Sequence, residues 1–455
     1  MLFNSAEYLF LFLPFCILLH YYLRSHISQM LGLIVTSLYF YMVAYPAYIL
    51  VLLGLIVVDF AGGILIDKSD GPSRRNWLIG ALILNVALLA GFKYYNFFAE
   101  NLNLLGSHLP KHSWMLPVGL SFHTFQSMSY LIEVYRKAYP SERNLMRYSL
   151  FVLFFPQMVA GPIERPQNIL PQFTKFPSFQ WENLKQGLFM LARGLFMKVA
   201  VADRLTLLVD PVFQEPEKSG ELLCLSAVLF FGFQIYADFS GYSQMALGAA
   251  RMLGIDLMVN FKQPYLSTSL GDFWRNWHIS LSTWFRDYIY FPLGGSREGT
   301  WKTVRNVLII FSLSGLWHGA GWNYILWGFL HGLGLSLETL FSRQSLFTIP
   351  LWLKWLRTQA WVFFCWIFFR AHSTTEAWAV IKGTWGRFSN DGTVNLSQAE
   401  LIYGFTIAIL ILLSEKFKWQ ETAFARTGWL SIAVLFIMAY FLGNFNATTF
   451  IYFQF

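Results

Sequence analysis

The sequence predicts an all-α, polytopic membrane protein, and three observations carry that reading. Of 455 residues, 56% are hydrophobic and only 13% are charged. A soluble domain carries roughly a quarter charged residues, so this chain is too poor in charge to cover a water-facing surface. Its apolar runs are long: 28–58 and 77–92 hold no charged side chain. A spanning helix needs about 20 mostly apolar residues, whereas a barrel strand alternates over about ten. Lipid admits only helices or closed barrels, and run length decides for helices.

Candidate apolar segments lie near 5–23, 28–44, 47–66, 77–99, 114–134, 148–162, 184–210, 221–245, 303–319, 321–341, 351–370, 399–414 and 427–446. The first, "MLFNSAEYLFLFLPFC", has no basic n-region and no small-residue cleavage site, so it reads as a retained span. The segment 148–162, "SLFVLFFPQMVAGPI", is short and broken by Pro156 and Gly161-Pro162. Broken backbone at membrane depth is tolerated only where protein surrounds it, so this piece is expected to be re-entrant or buried. The loops "DKSDGPSRRN" (67–76) and "YRKAYPSERNLMR" (135–147) are basic, while "EPEKSGE" (215–221) is acidic. The positive-inside rule then puts the N-terminus outside. Cys16, Cys224 and Cys365 all sit in apolar runs without C-x-x-C spacing, and read as packed hydrophobes. The net charge of +8 suits basic cytoplasmic loops. No aromatic–basic interleaving points to nucleic acid. No separable soluble domain is evident, so 1–455 is expected to form one integral-membrane domain.

The region that fits no simple span is 251–305, expected to be a cytoplasmic or re-entrant segment at the active site. It carries Arg251, Lys262, Arg275, Arg286, Arg297, Lys302 and Arg305 against Asp256, Asp272, Asp287 and Glu298. Asp272, Arg275 and His278 fall at i, i+3 and i+6, which on one helix shares a face. Trp274, Trp277, Trp284, Phe285 and Tyr288 cover much of the rest. This predicts an aromatic interfacial helix, with "PLGG" as a tight turn behind it. The basic residues either bind a phosphate-bearing donor or anchor the cytoplasmic side.

Histidine is the candidate for chemistry. His318 lies in "SLSGLWHGAGWNYILWGFLHG" (312–332), a run without acidic or basic residues. An imidazole away from water favours its neutral form, which can take a proton as a general base. The alternative is helix packing. The glycines at 315, 319 and 321 permit close approach of another backbone or a ligand. His331 reads as a packed partner on the next helix. No H-x-x-x-H or H-E-x-x-H pair supports zinc, so no metal is expected. Asp238, in the apolar stretch "FQIYADFSGYSQMALG", must have a partner, expected from an Arg of 251–305. The rival functional class is a proton-coupled polysaccharide transporter, with His318 and Asp238 as its relay.

Several blocks follow one another: "MLFNSAEYLFLFLP", "LPVGLSFHTFQSMSYLIEVYR", "FFPQMVAGPIERP", "DFSGYSQMALG", "NFKQPYLSTSLGDFWRNWHISLSTWFRDYIYFPLGG", "SGLWHGAGWNYILWGFLHG" and the closing "FIYFQF". In that order they resemble the membrane-bound O-acyltransferase (MBOAT) family, in the bacterial branch that O-acetylates alginate and peptidoglycan. One departure is Gln244, where that branch often has Asp. The resemblance implies a ring of about 11–12 spanning helices around re-entrant ones, forming cytoplasmic and outer funnels that meet near His318. It implies His318 as the catalytic residue, as base or transient acyl acceptor, and His278 as the second, and it makes the glycines around His318 read as room for an acyl donor. Asp238, Asp272, Trp274, Arg275, Arg286 and Trp317 are the candidate substrate and donor contacts. It further implies acetyl-CoA as acyl co-substrate and an extracytoplasmic SGNH-type acetyltransferase as partner. The setting is the lipid of a bacterial cytoplasmic membrane. D-alanyl transfer to teichoic acid is the alternative within the family.

Overall fold

The computed structural model describes residues 1–43, 46–158, 161–341, 349–386, 397–445 and 450–451. It is 78% helix, and the described residues contain no strand. The all-α expectation therefore holds. The end of "FIYFQF", 452–455, lies outside the described residues. Among those described, three helices are long and apolar enough to cross a membrane: Pro46–Lys68, Gly71–Asn103 and Glu221–Met252. Tyr8–Tyr22 and Trp429–Leu442 are shorter apolar helices. Other helices of 19–20 residues carry charge near their ends, such as Lys302 and Arg305 in Thr300–His318 or Lys354 and Arg370 in Leu351–Arg370. Lys302 is exposed and paired with Glu298 at 2.8 Å, whereas Arg370 is largely buried and paired with Asp210 at 2.7 Å.

The chain divides into two compact units, Met1–Leu191 with Tyr242–Val259, and Ala192–Gly241 with Asn260–Phe455. The 251–305 region is thus shared, its first nine residues in one unit and the remainder in the other. In the first unit the N-terminus is sunk among rings. Phe3 packs on Tyr8, Phe40 and Tyr242 with centroids 4.8–5.8 Å apart, and Tyr242 donates its hydroxyl to Asn4 at 3.1 Å. The broken segment behaves as its prolines and glycine require. A helix Leu145–Leu153 stops, Phe154 is non-helical, and Phe155–Met158 makes one further turn. Residues 150–158 are buried throughout, so this piece is enclosed by protein. Glu164 ties the loop behind it to the 251–259 strip, accepting from the Met258 N–H and the Asn168 amide, both at 2.6 Å.

The second unit holds His278, His318 and His331, and seven helices surround them: α1 (Trp181–Phe196, continuing from the first unit), α2 (Glu221–Met252, running into it), α3 (Leu270–Asn276), α4 (Ile279–Phe285), α5 (Thr300–His318), α6 (Trp322–Phe341) and α7 (Leu351–Arg370). Helices α5 and α6 form a hairpin joined by Gly319–Gly321. Their backbones touch at glycines: a Cβ on Gly315 would lie 2.1 Å from the Tyr324 carbonyl oxygen, and one on Gly328 2.0 Å from that of Phe311. The expected room for an acyl donor is therefore filled by the facing helix. The glycines serve packing, because only they permit so close an approach.

Candidate active site

Two short helices deliver His278. Helix α3 begins where Ser269 caps the Asp272 N–H at 3.0 Å, as an N-cap serine should. Glu338 on α6 holds the Leu270 N–H at 3.0 Å. The single helix expected through 272–278 does not form, and that face-sharing reading is corrected. Helix α3 ends at Asn276, Trp277 is extended, and His278 takes a left-handed conformation at φ 43°, ψ 54°. No glycine or proline announces the break. It is held from outside: the Ile279 N–H donates to the Asn260 carbonyl at 2.9 Å, the Lys262 N–H to that of Asn276 at 3.0 Å, and the Ser280 hydroxyl to Asn260 Oδ1 at 2.7 Å. The kink turns Phe273, Trp274, Trp277 and His278 inward while Asp272 and Arg275 stay outside. A left-handed non-glycine residue costs on the order of 1–3 kcal/mol and persists only where surroundings impose it, often at functional sites.

His318 is the last residue of α5 and is 3% exposed; His278 is 1% exposed. Their ring centroids are 6.2 Å apart. Trp317 lies 6.1 Å from His278, while Trp327 and Phe369 meet His318 edge-on at 5.0 and 5.4 Å. Phe239 closes the far side of His278 at 4.6 Å. His331 belongs to the same aromatic cluster but sits behind Trp327, at 5.2 Å from it and 4.9 Å from Trp274. Among the described residues, no three His, Cys, Asp or Glu side chains group as metal ligands would.

A cavity of about 570 Å³ adjoins this cluster. Trp274, Arg275, Ser282, Thr283, Arg286 and Phe311 are among its lining residues, and it reaches Ser314 on α5. Ser314 precedes His318 by four residues, or about 6 Å of helix on the same face. Arg275 and Arg286 have side chains 73% and 55% exposed, each beside a neighbouring carboxylate: Asp272 at 3.4 Å and Asp287 at 2.8 Å. The "PLGG" turn follows, with Gly294 and Gly295 at φ 97° and 59° and their loop held by Asn306.

The structure thus gathers most of the predicted residues. His318, His278 and Trp317 share one cluster, and Trp274, Arg275 and Arg286 share the cavity next to it. Asp272 is an ion-pair partner of Arg275 outside the cavity lining. Asp238 is elsewhere, and its expected arginine partner is corrected: Lys198 holds it at 2.7 Å. Phe239, Ser314, Trp327 and Phe369 complete the surroundings. Their signal in the sequence is weak, because aromatic and small residues occur in every span of this chain.

Comparison with known proteins gives the family. Residues 121–372 match the model of the membrane-bound O-acyltransferase family. The peptidoglycan O-acetyltransferase of Helicobacter pylori is 33% identical over all of this chain and 98% of its own length. The "Probable alginate O-acetylase AlgI" of Pseudomonas aeruginosa is 37% identical over 85% of this chain and 76% of its own. The teichoic acid D-alanyltransferase of Streptococcus thermophilus is 31% identical over 50% of this chain and 58% of its own.

Proposed function

The chain belongs to the membrane-bound O-acyltransferase family and is an acyltransferase of the membrane, and from that premise we propose that it O-acetylates an extracytoplasmic polysaccharide of the alginate or peptidoglycan kind. The acetyl group comes from a cytoplasmic thioester, acetyl-CoA, across a bacterial cytoplasmic membrane, with the N-terminus outside. The transporter reading falls with the family assignment. The D-alanyl alternative has the shorter similarity, half of this chain against 85–100% for the relatives named for O-acetylation.

The observation that carries the mechanism is the cavity running from Arg275 and Arg286 to Ser314, one helical turn before His318. The two guanidiniums suit the phosphates of the donor, since arginine binds them as a charged hydrogen-bonding fork. The Trp274 indole N–H has no acceptor among the described residues, which leaves it for the thioester's carbonyl oxygen. His318 takes the proton of the attacking hydroxyl, and the oxygen bonds to the acetyl carbon. The carbon–sulfur bond breaks, and the proton passes from the imidazolium to the leaving thiolate, so the imidazole ends neutral. His278 stands beside His318, with ring centroids 6.2 Å apart. The dry aromatic walls keep water from hydrolysing the thioester. The attacking hydroxyl belongs to a separate SGNH-type acetyltransferase on the outer side, which carries the acetyl ester and passes it to a hydroxyl of the polymer, regaining its own.

The test is His318→Ala, with release of CoA from acetyl-CoA measured on purified protein with its partner. The turnover number should fall by about a thousandfold, within the range of general acid–base catalysis, while membrane abundance stays unchanged. Wild-type turnover in that variant would sink the assignment.

A further inference from the structure

Away from the cavity, one ammonium and two carboxylates meet in the interior of the second unit. Lys198 Nζ stands 2.8 Å from Asp203 Oδ1 and 2.7 Å from Asp238 Oδ1, with all three side chains at most 3% exposed. The acyl transfer described above uses neither Lys198 nor Asp203. Local structure explains their meeting. A π-helical stretch, Met197–Ala202, follows α1 and leads into a helix beginning at Asp203. Gly241 on α2, one turn beyond Asp238, lets the neighbouring backbone close in. A Cβ there would lie 2.8 Å from the Gly194 carbonyl oxygen and 3.1 Å from the Lys198 nitrogen. The other oxygen of Asp238 accepts the Ile451 N–H at 2.7 Å, and the Asn444 N–H donates to the Val199 carbonyl at 2.9 Å.

The residue after Asp238 is Phe239, whose ring stands edge-on to His278 at 4.6 Å and 5.8 Å from Phe450. Whatever fixes Asp238 therefore fixes a ring that bounds His278. Buried charge is tolerated only when paired, and two carboxylates around one ammonium repel each other once it is removed. Breaking a buried ionic group by deleting one member is strongly disruptive, whereas neutralising every member is often harmless. We propose that Lys198 is a positioning residue for acyl transfer: it holds Asp238, and with it Phe239, so that His278 keeps its place beside His318. This rests on His278 and His318 being the reacting centre.

The test uses the purified full chain with two readouts, acetyl-CoA turnover and the rate at which diethyl pyrocarbonate modifies His278, read by peptide mass. Lys198→Met should lower kcat at least about thirtyfold, leave the donor KM within about twofold, and speed His278 modification. The neutral triple variant Lys198→Met, Asp203→Asn, Asp238→Asn should recover kcat to within about fivefold of wild type and slow the modification again. A triple variant that folds yet stays as inactive as Lys198→Met would overturn the proposal, because the amine would then itself react. So would a Lys198→Met protein with wild-type kcat and modification rate. If Lys198→Met does not accumulate, Phe239→Leu decides, since it leaves the ions intact. It should cut kcat about tenfold at constant KM and expose His278, and an unchanged kcat and modification rate would refute the idea. Turnover absent in wild type, with the modification pattern as described, would instead count against the acyl-transfer reading alone.

Discussion

The arginine-lined cavity and the histidine cluster beside it, the outer and inner ends of the site, are built on opposite principles. At the outer end Arg275 and Arg286 are more than half exposed and share their charge with Asp272 and Asp287. Water and salt screen such groups, and exposed pairs contribute little, typically under about 1 kcal/mol. At the inner end His278, His318, Trp317 and Trp327 are almost wholly buried, and interactions there are barely screened. The outer end can recruit a charged donor without gripping it, while the inner end can change a proton's affinity without a formal charge nearby. Substitutions at the outer end should therefore act on KM, and those at the inner end on kcat.

The largest effect expected is on the scaffold that holds the inner end. Gly315→Val would place a side chain where α6 backbone already stands, 2.1 Å from the Tyr324 carbonyl oxygen. Two packed helices have no means to give way by that much. The variant should fail to yield monodisperse protein in detergent, losing on the order of 3 kcal/mol or more. A well-folded Gly315→Val protein would mean that the α5–α6 hairpin is not the tight element described.

Next comes His278. His278→Asn keeps a residue that tolerates the left-handed conformation but removes the ring, and should lower kcat about a hundredfold with the donor KM unchanged. His278→Val removes the ring and also strains the backbone, so it should melt several degrees below His278→Asn. Equal melting temperatures would show that the kink between α3 and α4 relaxes when the ring is gone.

These residues also show what could be seen before the structure. The helical membrane class followed from charge-poor runs, and His318 stood out because glycines at 315, 319 and 321 surround it in one of them. The cavity's Trp274, Arg275 and Arg286 were legible as a basic, aromatic cluster. The helix break at Trp277–His278 was not, because it depends on hydrogen bonds accepted by Asn260 and Asn276, far apart or unremarkable in sequence. Gly315 was misread for a related reason: sequence signals close approach but not by what. Lys198 could have been found by charge balance. Asp203 and Asp238 both lie in apolar runs, and so does Lys198, whereas the partner for Asp238 was sought among more numerous arginines beyond α2.

At the outer end the effects should be smaller and salt-dependent. Arg286→Ala and Arg275→Ala should each raise the donor KM about three- to tenfold at low salt, with kcat unchanged, as expected when one charge-assisted contact to phosphate is lost. Raising ionic strength should shrink the difference from wild type, because these side chains are solvated. If either variant lowered kcat at saturating donor, the division between recruiting and reacting ends would be wrong.

The smallest effect expected separates the two histidines of the hairpin. Among the described residues His331 has five aromatic neighbours within 6.5 Å, namely Phe273, Trp274, Phe311, Trp327 and Trp366, and neither ring nitrogen has a hydrogen-bond partner there. Burying an unsatisfied polar group costs about 1–3 kcal/mol, so a ring without nitrogens should suit this site at least as well. His331→Phe keeps the stacking and should leave turnover within about twofold and raise the melting temperature slightly. The same change at His318 removes the proton acceptor and should be as damaging as alanine. A collapse of activity in His331→Phe would place a second proton-carrying ring behind Trp327 and would extend the reacting end one helical layer deeper than the cavity now suggests.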